Sequence, residues 1–114
     1  FALEALLHDA AEAYLQDIPA PLKHLLPDYR AMEIRVDAAI RQKFSLPDEQ
    51  HPTVKYADLV MLASERRDFE IDDGTVWPML EGIIPTDQFV INPVRPGQAY
   101  GMFMNRFHQL MERR

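Results

Sequence analysis

The residues whose types and spacing suit chemistry are His8, Asp9, Glu12 and Asp17, followed by Lys23. At about 100° per residue, a helix puts His8, Asp9 and Glu12 within one arc of about 100°. The same helix would gather Leu3, Leu6, Leu7, Ala10 and Tyr14 on its other face. Between these faces lie Phe1, Ala2, Ala5, Ala11, Ala13 and Leu15, all small or apolar, so the helix reads as buried. Ionisable groups on a buried helix need partners. A divalent metal is one such partner, because it favours carboxylate and neutral imidazole together. Solvation, or pairing with a Lys or Arg from elsewhere, is the plainer alternative.

Around these residues the pattern is longer. His8-Asp9, Glu12, Asp17-Ile18-Pro19 and then Ala20-Pro21-Leu22-Lys23 resemble the HD-domain metal-dependent phosphohydrolases. The match is to the nucleotide-hydrolysing branch with its HD-x-x-E-x-x-x-x-D-(I/L)-P pattern, the branch of the 5′-deoxynucleotidases. The resemblance implies one divalent metal held by His8, Asp9 and a late aspartate. Asp58, in the context Tyr56-Ala57-Asp58-Leu59, resembles that last ligand. Asp58 also falls inside an apolar helical stripe, where an acid needs a partner. An ion pair with Arg30 or Arg66 is the alternative there. Glu65, on the same stripe, reads as a supporting acid. The family's first metal-binding His comes from an upstream helix. His24, His51 and His108 match no part of the motif.

The resemblance further implies that Glu12 orients or deprotonates the attacking water, and that Asp17 assists proton transfer or fixes the sugar. Without it, Asp17 is a loop aspartate near the negative pole of a helix. Lys23 could reach a substrate phosphate, or simply be solvated. The expected activity is hydrolysis of nucleotide phosphate esters, with a 5′-deoxynucleoside monophosphate as first-choice substrate. A deoxynucleoside triphosphate or guanosine tetraphosphate is the second choice. A mixed nitrogen and carboxylate set suits manganese, cobalt, zinc or iron, and magnesium is a further candidate. The competing reading is a non-catalytic helical module that binds a partner.

The elements that must position these groups can be read in order. A first helix is expected from Phe1 to about Gln16, ended by Ile18-Pro19. A short turn follows at Ala20–Leu26, with Pro21 at its first position. A second helix runs from a cap at Asp28 to about Phe44, with Tyr29, Met32, Val36, Ile40 and Phe44 inward. Its polar face, including Glu33, reads as scaffold. The linker from Ser45 to Pro52 is rich in turn residues and leaves His51 exposed. Thr53 caps a third helix to about Phe69, with Val54, Met61, Leu62 and Phe69 inward. Residues 71–97 are irregular, with a short helix near Trp77–Glu81. Trp77 either stacks on a base or anchors this connection. The last helix starts near Gln98, with Tyr100, Phe103, Phe107 and Leu110 inward and Arg113 and Arg114 at its negative end.

The expected fold is therefore all-α, one incomplete HD-like domain over residues 1–114 with four main helices around one core. Phe1 has no capping residue before it, so an upstream segment is expected. The uncovered core would then take a partner chain, with a homodimer among the options. Without that segment, the chain is expected to bind metal poorly and to be inactive. The net charge of −6 argues against a nucleic-acid polymer as partner. No apolar run is long enough for a membrane. There is no cysteine and no signal peptide, which fits a cytoplasmic protein.

Overall fold

The computed structural model describes residues 1–113, and every described element is helical. Arg114, read as a terminal cation, lies outside the described residues. The helices are α1 (Ala2–Leu6), α2 (Glu12–Leu15), α3 (Ala20–Lys23), α4 (Pro27–Lys43), α5 (Pro52–Asp68) and α6 (Pro96–Glu112), with a 3₁₀ turn at Pro78–Leu80. Three of them are long, and no strand occurs among the described residues, Phe89-Val90-Ile91 included. The chain divides into two compact units. One is Ala2–His51, and the other is Phe1 with Pro52 onward. No helix among the described residues is long and apolar enough to cross a membrane.

The expected first helix is broken in the structure. Its halves α1 and α2 are joined by turns over residues 7–11. The cause is local. His8 Nδ1 lies 2.7 Å from the Ala5 carbonyl oxygen, the acceptor that Asp9 N–H would use in a continuous helix. The chain tightens instead, with bonds such as Ala10 N–H to Leu7 O at 3.0 Å and Glu12 N–H to Asp9 O at 3.0 Å. A three-residue turn advances about 20° more per residue than an α-helix. Over these five residues the face slips by about 100°. Leu3 and Leu7 are buried as expected, and Ala11 with them, whereas Tyr14, expected on the same face beyond the break, is 74% exposed.

In the same unit, α3 packs on α4. Pro27 occupies the first turn of α4 behind an N-cap at Leu26, so Asp28 is a first-turn acid rather than the cap. Arg41 is buried against α1. Its Nη1 lies 3.2 Å from Glu4 Oε1 and donates to Pro47 O at 2.8 Å, while Nε donates to Asp37 at 3.0 Å. Glu4 also accepts the His51 backbone N–H at 3.0 Å. That bond draws in His51, which is half-buried rather than exposed.

In the second unit Pro52, not a cap at Thr53, opens α5. Val54, Ala63 and Ser64 of α5 and Leu110 of α6 are buried. Met61 and Phe69, expected inward, are 37% and 39% exposed. On α6 the inward line is Met104, Phe107 and Leu110, and Tyr100 is exposed. The helix opens at Pro96, with Arg95 N–H donating to Gln98 Oε1 at 3.3 Å.

The irregular connection is held by one end of α5. Ser64 Oγ donates to Val60 O at 2.7 Å and accepts Thr86 N–H at 3.0 Å. Arg67 donates to the carbonyls of Thr86 and Phe89, and Asp68 accepts Ile91 N–H at 2.7 Å. The Arg67 guanidinium and the Ile91 N–H hold the Asp68 carboxyl below its ordinary range. Arg66 pairs with Asp72 at 2.9 Å, donates to Thr75 O, and lies 4.4 Å over the Trp77 ring. Trp77 is thus an anchor of the connection. Arg66→Ala is expected to release it. Trp77 is the sole tryptophan, so its emission should shift to the red, and an unchanged spectrum would refute the anchoring role.

Candidate functional site

The break between α1 and α2 builds the first part of the site. His8 is half-buried in the turn and Asp9 beside it is exposed. The Ala5 carbonyl accepts only, so His8 Nδ1 carries the hydrogen. In the neutral ring the lone pair is then on Nε2. That atom is 3.2 Å from Asp9 Oδ2. Two electron-rich atoms so close are drawn together by a proton or by a shared cation. Fixing one ring nitrogen on a carbonyl is also how metal-ligating histidines are oriented. As a donor set, His8 and Asp9 fit two adjacent positions on a divalent metal.

Glu12 is the first residue of α2 and is half-buried. Burial pushes its carboxyl above the ordinary value, and the negative charges of Asp9, Asp17 and Glu33 push the same way. Lys23 opposes them.

Asp17 follows Gln16, whose φ of 61° lies in the left-handed region. Such a conformation is strained for a residue with a side chain, and it persists only where neighbours hold it. Here Tyr29 Oη donates to the Gln16 carbonyl. Lys23, the last residue of α3, lies 3.9 Å from Asp17 Oδ1 and 3.0 Å from Glu33 Oε2. Its Nζ is 5.8 Å from the centre of the Tyr29 ring. The Glu33 bond outweighs burial and holds the ammonium above its ordinary range. Lys23 is therefore not a solvated lysine; its side chain is 19% exposed.

Glu33 and Tyr29 belong to this cluster although α4 reads as scaffold in the sequence. They are four residues apart and so share a helix face. The missed signal was that pairing, opposite a lysine on a short neighbouring helix.

Asp58 lies mid-way along α5, in the other unit, with its side chain 38% exposed and 3.6 Å from Lys55 Nζ. Arg66, one of its expected partners, is bound to Asp72 instead. Among the described residues no three His, Cys, Asp or Glu side chains form one metal-ligating group.

A protein of Escherichia coli strain K12 named Uncharacterized protein YfdR is 62% identical over the 114 residues of this chain. The chain spans 64% of that protein's length. No protein-family model matches the chain, and no solved structure matches it.

Proposed function

We propose that this chain is the metal-site segment of a phosphohydrolase of the HD type acting on nucleotides, with deoxynucleoside monophosphates as first choice. The observation that carries the reading is the His8 ring, with Nδ1 on the Ala5 carbonyl and Nε2 3.2 Å from Asp9. The resemblance of His8–Lys23 to the HD pattern supports it. His8 and Asp9 would hold the metal. Asp58 joins them as third ligand on the resemblance alone. When bound, a divalent cation supplies Lewis acidity toward a phosphoryl oxygen and toward water.

The chain's own residues supply the rest. Glu12 takes a proton from the attacking water. Its raised carboxyl makes it a stronger base than an ordinary glutamate and lets it return the proton to the leaving group. Asp17, on its strained turn, takes the sugar or relays that proton. Lys23 binds the phosphate, which competes for it with Glu33 and Asp17.

The test is a hydrolysis screen of nucleotide monophosphates, triphosphates and guanosine tetraphosphate, with each divalent metal in turn, on the full-length protein. Turnover together with a stoichiometric metal that is lost in His8→Ala supports the reading. Absence of both points to a helical interaction module. Lys23→Met provides a finer check. It removes the cation that lowers Glu12, so the acid limb of the pH–rate profile should move to higher pH. A limb that stays in place would take Glu12 out of the base role.

A further inference from the structure

Away from the acidic cluster, the first unit carries a groove of about 540 Å³ between the Tyr14 ring and one face of α4. Met32, Val36 and Ile40 make its apolar floor, and Arg35 and Lys43 line it too. Tyr14 and Met32 are 74% and 52% exposed. The strip from Met32 to Lys43 is about 16 Å long, or three helical turns. Arg35 and Lys43 lie about 12 Å apart along the helix axis and about 80° apart around it. Neither side chain has an ion pair or hydrogen bond among the described residues. No residue three or four positions from either is acidic. Arg41, on the same helix, has Asp37 four residues back and Glu4. In a chain of net charge −6, an apolar strip bracketed by two unpaired cations calls for an acidic occupant.

We propose that this groove docks an acidic amphipathic helix of a partner protein. Its apolar stripe would lie along Met32, Val36 and Ile40, and carboxylates about two turns apart would meet Arg35 and Lys43. Helix-in-groove recognition uses this combination of length and spacing. A single-headed amphiphile such as a fatty acid would engage one of two cations about 12 Å apart. A second copy docked face to face would set cations against cations.

The test uses the full-length protein and two synthetic helical peptides with the same leucine stripe. One carries glutamates two turns apart and the other carries lysines there. Fluorescence anisotropy should show the glutamate peptide binding about tenfold tighter, from two charge pairs at the groove's rim. Raised salt should narrow the difference. The double variant Arg35→Glu, Lys43→Glu should reverse the preference, and Met32→Asp should weaken both peptides. Equal affinity for the two peptides would overturn the proposal, as would a preference unchanged by charge reversal. Displacement of the glutamate peptide by dodecanoate, or a dimer that buries Tyr14, would also overturn it in favour of a lipid anion or a second copy.

Discussion

Glu12→Gln is expected to lower nucleotide turnover about a hundredfold or more, the usual effect of losing a general base. It should leave metal content nearly unchanged, because Glu12 is assigned to water. Stability separates this loss from unfolding. Burial and the charges of Asp9 and Asp17 raise the Glu12 carboxyl in the folded chain. A raised folded-state value means that ionisation opposes folding, so stability is lost as pH rises through that value. A neutral glutamine avoids this, and the variant should be at least as stable as the parent at pH 7. Turnover within a few-fold of the parent would remove Glu12 from the mechanism. Loss of metal along with activity would make it a ligand instead. A large fall in melting temperature would show that the ionised Glu12 carboxylate stabilises the fold around α2.

Long periodic stretches were legible in the sequence. The sequence places α4, α5 and α6 within about two residues of their ends, because helical period and polar linkers agree there. Each start is expected one or two residues late, at Asp28, Thr53 and Gln98, while the helices open on Pro27, Pro52 and Pro96. Two readings failed for reasons that hydropathy does not carry. The first helix was read as continuous because it holds no Gly or internal Pro. Its break comes from the His8 ring, which takes a backbone acceptor. Of the expected inward line of α6, Phe107 and Leu110 do face in, together with Met104 beside them, whereas Tyr100 and Phe103 are exposed.

The site was legible in the same uneven way. His8 and Asp9 stand out by type and adjacency, and the structure holds them 3.2 Å apart. Glu12 was legible by its spacing from His8. Glu33 was not, because a glutamate on a mixed polar face looks like any other until α3 brings Lys23 against it. Tyr29 was read as core. In fact its hydroxyl holds the Gln16 carbonyl, so it shapes the Asp17 turn from a helix that seemed to have no part in the site.

Arg41→Ala is expected to destabilise the Ala2–His51 unit by about 3 kcal/mol, the scale of breaking a buried ion pair by removing one partner. Arg41 and Glu4 are 5% and 3% exposed. Without Arg41, the Glu4 carboxylate keeps only the His51 N–H, and the Pro47 carbonyl and Asp37 lose a donor. The effect should depend on pH in a defined direction. Burial pushes the Glu4 carboxyl up, but the His51 N–H and Arg41 outweigh it and leave it below its ordinary value of 4.5. A lowered folded-state value contributes stability that is present above 4.5 and is lost as pH falls through the folded value. The parent should therefore weaken progressively below about pH 4.5, and Arg41→Ala should show much less of that loss. Denaturant titrations of both proteins at neutral and acidic pH make the comparison. Replacing the pair together, as Glu4→Leu with Arg41→Met, should recover much of the loss, since an apolar pair has no charge to strand. A double variant no better than Arg41→Ala would show that the bonds to Pro47 and His51 hold this unit more than the ion pair does. Equal midpoints for Arg41→Ala and the parent would mean that solvent replaces the pair, and that its burial does not last in solution.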